Sequence, residues 1–350
     1  MKRTVKKILI GFVILLSAST LFANEWEMVV NLRGYWKFTI GDDMNWADPN
    51  YSDKNWETIK VPATWESQGF HGYNGYAWYR TDFDLPEYAK GYSLRLQLGY
   101  VDDVDEVYLN GYLIGRSGSF PPDYSTAYNA HRNYPVPEKY LSKNGKNIIA
   151  VRVFDSQLDG GITRGDIGVF AYTKGLKLDL NLEGEWKFNI GDNNDWKNEN
   201  YNDNDWVNIF VPGYWEPQGW FDYDGFAWYR LKFLVPENLR GKKLVLVLGK
   251  IDDVDEAFIN GKKVGFTGTI DENIRNIHFS NEYNEFRGYF LPDGVLNFGK
   301  ENTLAVRVYD GYKDGGIYEG PIGLITQDKY RSYWKEKKRK KSIWEIIFGN

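Results

Sequence analysis

The residues best suited to chemistry are two runs of carboxylates that lie 150 positions apart in a chain of 350 residues. The runs consist of Asp102, Asp103, Asp105 and Glu106 and of Asp252, Asp253, Asp255 and Glu256. Carboxylates so close together repel one another, so each run needs positive charge or hydrogen-bond donors around it. The pattern fits three roles: a structural ion-pair network, hydrogen bonding to sugar hydroxyls, or a structural calcium ion held by clustered oxygens.

Arginines at matched positions are the candidate partners of these acids, because a guanidinium can bind a carboxylate through two parallel hydrogen bonds. They are Arg80, Arg132 and Arg152 in the first half and Arg230, Arg287 and Arg307 in the second. If the acidic run is a strand, Asp103 and Asp105 share one face while Asp102 and Glu106 share the other.

Tryptophans recur at matched positions too, and a flat indole can stack on the apolar face of a pyranose. Trp36, Trp56 and Trp78 lie in strand-like segments and are assigned to the core. Trp65 and Trp215 lie in loops beside Glu66 and Glu216, so they are the candidates for exposed rings. The predicted carbohydrate-binding residues are Trp65, Glu66, Arg80, Asp103, Asp105, Asn110, Arg132, Trp215, Glu216, Arg230, Asp253, Asp255, Asn260 and Arg287.

No catalytic residue is predicted. The chain has no Cys, and its three His, at positions 71, 131 and 278, have no His counterpart in the other half. It contains no Gly-x-Ser-x-Gly nucleophile elbow. A carboxylate pair such as Glu66 with Asp103 is the residual candidate for glycoside hydrolysis, since that reaction uses two carboxyl groups.

An internal repeat supplies the elements that must position these residues. Residues 32–42 recur as 182–192, and the similarity continues over about 31–174 and 180–327. Leu94, Leu96 and Leu98 alternate with polar residues as in a strand with one buried face, whereas residues 244–248 are apolar throughout, as in a strand covered on both faces. Asn110-Gly111 and Asn260-Gly261 predict tight hairpins. We therefore expect an all-β protein of two tandem antiparallel jelly-roll sandwiches, spanning residues 24–177 and 178–328.

The two ends of the chain differ from this acidic body. Residues 1–23 have the basic, apolar and small-residue regions of a secretory signal, which predicts export to the periplasm, the cell envelope or the medium. Without them the formal net charge falls from −5 to −9, which argues against a nucleic-acid partner. Residues 329–350 form a basic tail with eight Lys or Arg and two Glu. This tail either lies solvated or against the acidic body, or it contacts an anionic membrane surface.

The combined motifs resemble those of one domain family. Asp-Asp-Val-Asp-Glu is followed in both halves by Asn-Gly, Arg-x-Tyr-x-x-Pro, Asn-x-x-Ala-Val-Arg-Val and Asp-Gly-Gly-Ile. This order resembles the galactose-binding-like jelly roll of glycoside hydrolase family 2 and of sialate O-acetylesterase-like proteins. The resemblance implies an accessory domain that binds or positions carbohydrate beside a separate catalytic domain, and neither the catalytic barrel nor the esterase nucleophile domain has a counterpart in these residues.

The leading hypothesis is therefore an exported, non-catalytic carbohydrate-binding protein. The halves differ between the Asn-Gly hairpin and Arg132 or Arg287, where residues 269–285 replace the first copy's loop. Their two sites are accordingly expected to be unequal. The alternatives are a glycoside hydrolase or carbohydrate esterase with its site between the copies, and a structural envelope protein.

Overall fold

The computed structural model describes residues 26–143, 145–270 and 281–348, with side chains up to residue 340. Two β-sandwiches follow one another, which confirms the predicted all-β class. The first copy contains β1 Glu27–Asn31, β2 Gly34–Ile40, β3 Glu57–Val61, β4 Gly75–Phe83, β5 Leu94–Asp102, β6 Val104–Leu109, β7 Tyr112–Ser117, β8 His131–Pro135, β9 Asn147–Asp155 and β10 Gly161–Ala171.

The second copy repeats these ten strands. They are β11 Leu180–Asn181, β12 Gly184–Ile190, β13 Val207–Val211, β14 Gly225–Leu234, β15 Leu244–Asp252, β16 Val254–Ile259, β17 Lys262–Thr267, β18 Arg287–Phe290, β19 Glu301–Asp310 and β20 Gly316–Thr326. One helix, α1 Gln327–Phe348, follows.

Each sandwich packs a four-stranded sheet on a six-stranded sheet. The strand orders in the first copy are β1-β10-β5-β8 and β3-β2-β4-β9-β6-β7, and the second copy has the corresponding orders β11-β20-β15-β18 and β13-β12-β14-β19-β16-β17. The apolar core fills the space between the two sheets, and Leu94, Leu96 and Leu98 point into it as their alternation predicts. Since one face of each strand is buried, a one-residue slip would expose these leucines, and the register is thereby fixed.

The Asn-Gly pairs form the predicted hairpin turns. Asn110 and Gly111 have φ values of 50° and 84°, and Asn260 and Gly261 have 50° and 76°. Both turn residues thus take the left-handed conformation that matches the twist of the flanking strands. The turns join β6 to β7 and β16 to β17.

The acidic run lies where the chain changes sheets. Asp102 is the last residue of β5 in the four-stranded sheet, and Val104 begins β6 in the six-stranded sheet. The run is therefore not one continuous strand, and the expected division of its side chains between two faces is wrong. Asp103, at the crossover, instead lies beside both Asp102 and Asp155.

Helix α1 explains the continuous apolar sequence of β15. Leu244, Leu246 and Leu248 belong to the core of the second sandwich. Val245 and Val247, on the opposite face, form a second cluster with Ile325 of β20 and with residues of the linker and of α1, namely Leu176, Leu178, Tyr330 and Tyr333. The strand is thus covered on both faces, as predicted. Among the described residues, no helix is both long and apolar enough to span a bilayer.

The two copies touch through polar groups and a short linker. The hydroxyl of Ser93, in the first copy, donates a hydrogen bond of 2.5 Å to Glu183 Oε1 in the second. Leu178 N donates to Gly91 O over 2.7 Å, which holds the linker against the first copy.

Candidate functional site

The acidic end of each sandwich is built where two strand ends meet. Gly161, which begins β10, pairs with Asp102, and Phe154 near the end of β9 pairs with Val104. This register brings Asp155, the last residue of β9, next to the crossover. One carboxylate oxygen from each of Asp102, Asp103 and Asp155 lies within 4.8 Å of the others. Asp252, Asp253 and Asp310 form the same group in the second copy.

Asp105 and Arg132 form a fully buried ion pair below this group. Arg132 Nε donates to Asp105 Oδ1 over 2.6 Å, and the Tyr134 hydroxyl donates to Asp105 Oδ2 over 2.6 Å. The same guanidinium also donates to the carbonyl oxygens of Asp103, Ala127 and Ala130. Arg132 therefore ties the loop before β8 to the acidic crossover. Arg287, Asp255 and Tyr289 repeat the arrangement in the second copy.

Asp103 is the best-satisfied carboxylate of the group. Its oxygens accept hydrogen bonds from the hydroxyls of Thr126, Tyr124 and Ser156 and from the backbone N–H of Ser156, at 2.5 to 3.1 Å. Burial alone would raise the pKa of Asp103, but these donors outweigh it and lower the pKa to about 2. This residue is therefore ionised throughout the physiological pH range.

The other carboxylates of the group are held at much higher pKa. Burial, followed by the adjacent Asp103, raises the pKa of Asp102 to about 7. Burial and the neighbouring acids likewise raise the pKa of Asp155 to about 7. In the second copy the pKa of Asp252 rises to about 8 and that of Asp310 to about 7 for the same reasons. Each group thus concentrates negative charge that the protein only partly compensates.

Trp65 and Trp215 are buried, contrary to the expectation that they are exposed. Both side chains are 0% accessible. Trp65 lies flat on Gly160, where an added Cβ would come within 2.0 Å of the indole. Neither ring can therefore stack on a sugar. Glu66 next to it accepts a hydrogen bond of 3.1 Å from Gly160 N through Oε2.

Other predicted site residues lie away from the acidic end. Arg80 pairs with Asp53 over 2.9 Å rather than with the acidic run, beneath the loop that carries Trp46. Asn110 lies at the opposite end of β6, where its side chain bonds to Asn147, Tyr140 and Ile148. Arg230 and Asn260 have the same positions in the second copy. These four residues therefore stabilise the sandwich at other places.

A tyrosine pair that the sequence did not single out lies beside the acidic end of the second copy. The rings of Tyr214 and Tyr318 stack with centroids 4.9 Å apart and an interplanar angle of 3°. The Tyr318 hydroxyl donates to Tyr283 O over 2.8 Å. Burial and then the charge of Asp252 raise the pKa of Tyr214, which places the pair next to this carboxylate. The repeat offered a signal, because the first copy has Thr64 and Thr163 at the two positions.

This tyrosine pair borders a groove between the two copies. Two adjoining cavities of about 350 and 430 Å³ form the groove and share Arg95, Asn133 and Pro212 in their walls. Tyr318 lines the first cavity together with Trp26, and Tyr214 lines the second together with Gln218. The walls of the groove thus contain the partly exposed rings of Trp26, Tyr214 and Tyr318 together with polar side chains from both copies.

Comparison with known proteins identifies the class of domain. Residues 41–159 match the family described as the second all-β domain of β-galactosidase. These matches support an all-β domain of the glycoside hydrolase family 2 type in the first copy. The second copy repeats its sequence motifs and strand order.

The individual proteins that resemble the chain are glycosidases. A β-glucuronidase of Formosa agariphila is 30% identical over 144 residues, which cover 37% of this chain and 14% of that enzyme. A β-galactosidase of Bacteroides ovatus is 27% identical over 135 residues, covering 35% of this chain and 15% of the enzyme. A crystal structure of a Bacteroides uniformis β-glucuronidase aligns with a TM-score of 0.35 and 16% identity, over 82% of this chain and 28% of its own. The aligned part is thus a small fraction of each relative's length.

Proposed function

We propose that this protein is an exported, non-catalytic carbohydrate-binding protein whose sugar site is the groove between the two copies. The observation that carries the proposal is the stacked Tyr214–Tyr318 pair at the wall of a groove that also presents Arg95 and Asn133. Gln218 holds Tyr214 in place, because its amide donates to Tyr214 O over 2.8 Å. Aromatic faces pack against the C–H face of a pyranose, and guanidinium and amide groups hydrogen-bond to its hydroxyls. Tyr214 is 37% exposed, so its ring is accessible to such a ligand.

The similarity to glycosidases supports a carbohydrate-related role. The matched domain type occurs in a β-galactosidase and a β-glucuronidase, and this chain aligns with only 14–15% of these enzymes. Two acids of the groove are already engaged, because Glu183 accepts a hydrogen bond from Ser93 and Glu319 pairs with Lys250 over 3.0 Å. These contacts favour binding over hydrolysis, which needs one carboxyl group as acid and another free as base or nucleophile.

The proposed site is unequal in the two copies. Thr64 and Thr163 replace the tyrosine pair in the first copy, so a single groove per chain carries the aromatic platform. Five of the predicted residues support this platform from within the second sandwich, namely Trp215, Glu216, Asp253, Asp255 and Arg287. Their proposed role is to position the loop segments that carry Tyr214 and Tyr283.

Binding of glycans to the full chain and to matched variants tests this function. A glycan array identifies a ligand, and calorimetry then compares the chain with Tyr214→Ala/Tyr318→Ala and with Thr64→Ala/Thr163→Ala. We expect the tyrosine variant to weaken binding by about tenfold or more, since that corresponds to about 1.4 kcal/mol of lost stacking and burial. The threonine variant, altered at the same repeat positions, should bind normally. Equal affinity of both variants would show that the sugar does not bind in this groove.

Activity assays separate the rival functions. Chromogenic glycosides and acetyl esters should show no turnover. A third acid, Glu185, lines the second cavity. Turnover that is abolished by Glu185→Gln or by Glu319→Gln would establish a hydrolase or esterase with a site between the copies. Absence of both glycan binding and turnover would instead favour a structural envelope protein.

Export and surface contact are further parts of the proposal. Residues 1–23 lie outside the described residues, and their composition supports a cleaved secretory signal. A mature N-terminus at Asn24, measured by mass spectrometry of the protein recovered outside the cytoplasm, is the expected result. An unprocessed chain in the cytoplasm would contradict it. We propose no nucleic-acid partner, because the body of the protein is acidic.

Helix α1 is the proposed contact with an anionic membrane surface. Lys335, Lys338 and Arg339 are exposed on it, and its first turns are held against the second copy by Tyr330 and Tyr333. Basic residues near a surface gain about 1 kcal/mol each from anionic headgroups. Lys335→Gln/Lys338→Gln/Arg339→Gln should therefore reduce co-sedimentation with phosphatidylserine vesicles. Unchanged co-sedimentation would leave α1 with a role only in covering β15.

A further inference from the structure

The carboxylate group at the acidic end of each copy lacks a compensating cation among the described residues. None of Asp102, Asp103 and Asp155 forms an ion pair, although seventeen such pairs occur elsewhere in the described chain. The nearest guanidinium, that of Arg132, is bound to Asp105 and to backbone carbonyls. Three acids therefore lie close together, while the charge of the nearby Arg132 guanidinium is neutralised by Asp105.

Asp155 gives an independent reason to expect a ligand at this place. Its side chain is 0% exposed, and its Oδ2 has no hydrogen-bond donor among the described residues. Its other oxygen receives only a long contact of 3.4 Å from Gln157 N. A buried carboxylate oxygen without a partner is destabilising, so native proteins rarely leave one unsatisfied.

The second copy repeats the observation. Asp310 is likewise 0% exposed, with its Oδ2 unpartnered. Glu66 Oε1 and its counterpart Glu216 Oε2 are also buried without a hydrogen-bond donor among the described residues. The charge of Glu66 acts on both Tyr79 and Asp155, which shows that these groups are close together. The same set of unsatisfied oxygens thus occurs twice in one chain.

We propose that each copy binds one calcium ion, through Asp102, Asp103 and Asp155 in the first and through Asp252, Asp253 and Asp310 in the second. Calcium takes six to eight oxygen ligands at about 2.3–2.6 Å, so two oxygens on opposite sides of the ion are about 4.8 Å apart. The three oxygens of each group lie within that distance of one another. Asp102 is half-buried, so water can complete the coordination from the solvent side.

The ion would join the two sheets at the point where the chain crosses between them. Asp102 ends β5 of the four-stranded sheet, and Asp155 ends β9 of the six-stranded sheet. Asp105 is excluded as a ligand because its charge is already neutralised in a fully buried ion pair with Arg132, whereas the donors to Asp103 are all neutral and leave its charge uncompensated. The proposed site therefore uses the first two acids of the run and an acid that lies 52 positions later.

Titration of the chelator-treated full chain with calcium chloride tests the proposal. Isothermal calorimetry should give two sites per chain, and the thermal midpoint should rise with calcium concentration because the ion binds the folded state. Asp102→Asn and Asp252→Asn should each leave one site, and the double variant none. Asp102 shares a side-chain hydrogen bond with Asp103, and an Asn amide can donate the same bond, so we expect the amide variant to fold. Asp166→Asn, a surface acid of the same copy, should keep both sites.

Two results would overturn the proposal. An unchanged thermal midpoint and no binding heat with calcium would mean that protons or water satisfy these oxygens. Retention of both sites in the double variant would place the ions elsewhere. Magnesium chloride serves as the competing ion, and tighter binding of magnesium at the same stoichiometry would reject calcium as the preferred metal.

Discussion

The residues of the acidic run lie in different environments because the chain crosses between the sheets at Asp103. Asp105 turns into the sandwich and pairs with Arg132, whereas Asp102 stays half-buried at its end. Glu106 faces the outer side of the six-stranded sheet, where it pairs with Arg152 over 3.2 Å. Asp102 and Asp103 join Asp155, so the repeated motif serves a structural ion-pair network and a candidate metal site at once.

Removal of the Asp105 carboxylate should strongly destabilise the first copy. Asp105→Ala leaves the guanidinium of Arg132 and the hydroxyl of Tyr134 buried without their acceptor. We expect the free energy of unfolding to fall by about 3–5 kcal/mol, the usual cost of breaking a buried ion pair. Urea denaturation monitored by Trp fluorescence measures the change.

Asp82→Ala is the matched control for this variant. Asp82 pairs with Lys146 on the surface, where both side chains are about half exposed. Its loss should cost at most about 1 kcal/mol. Similar effects of the two substitutions would show that the buried pair contributes no more than an exposed one.

At the level of elements, the outer face of the four-stranded sheet has different neighbours in the two copies. Val245 on β15 and Gly288 on β18 lie under α1. Their repeat equivalents Arg95 on β5 and Asn133 on β8 line the groove between the copies. The difference follows the sequence, because an apolar face needs a covering element whereas a polar face can border solvent or a ligand.

Tyr330→Ala should weaken the packing of α1 on the second copy. The Tyr330 hydroxyl lies directly over Gly288, and the ring contacts Phe290 edge-on with centroids 5.7 Å apart. We expect a loss of about 1–3 kcal/mol in the free energy of unfolding, as for a partly buried aromatic ring. Faster hydrogen exchange in β15 and β18 should accompany it.

Tyr312→Ala provides the comparison, since this ring is 68% exposed on a loop of the same copy. It should leave stability and exchange nearly unchanged. If Tyr330→Ala behaves in the same way, α1 does not stabilise the sheet that it covers.

At the scale of the whole molecule, polar contacts and a short linker join the copies. Glu183 is 3% exposed and receives a hydrogen bond from Ser93, while its first-copy counterpart Arg33 is exposed and contacts Asp166 within its own copy. Burial raises the pKa of Glu183, and the charge of Arg95 partly offsets this rise. The same repeat position thus lies on the surface in the first copy and at the interface between the copies in the second.

Loss of Glu183 should uncouple the two sandwiches. Glu183→Ala removes the acceptor of Ser93 and leaves Arg95 without its nearby negative charge. We expect about 1.5–3 kcal/mol of lost stability, as for a hydrogen bond to a charged group, and a calorimetric transition that broadens or splits. Arg33→Ala, at the equivalent position, should keep one transition and cost at most about 1 kcal/mol. Identical scans of the two variants would mean that this contact does not couple the copies.

Features that depend on neighbours along the chain could be predicted from the sequence. The 150-residue repeat predicted two sandwiches, and the alternating leucines predicted which face of β5 is buried. The Asn-Gly pairs predicted the hairpin turns. Residues 244–248 even indicated that β15 would be covered on its second face. These signals are local, because strand periodicity and turn conformation act over a few residues.

Only the tertiary structure decided which distant residues meet. It buried Trp65 against Gly160, brought Asp155 to Asp102 and stacked Tyr214 on Tyr318 at the groove between the copies. These partners are separated by 53 to 104 positions, and each contact arises from the folding of one sandwich, whereas the groove beside the tyrosines arises from the packing of two sandwiches. No pattern within a single strand or loop contains that information, which is why the sequence indicated neither the burial of Trp65 nor the approach of Asp155 to Asp102.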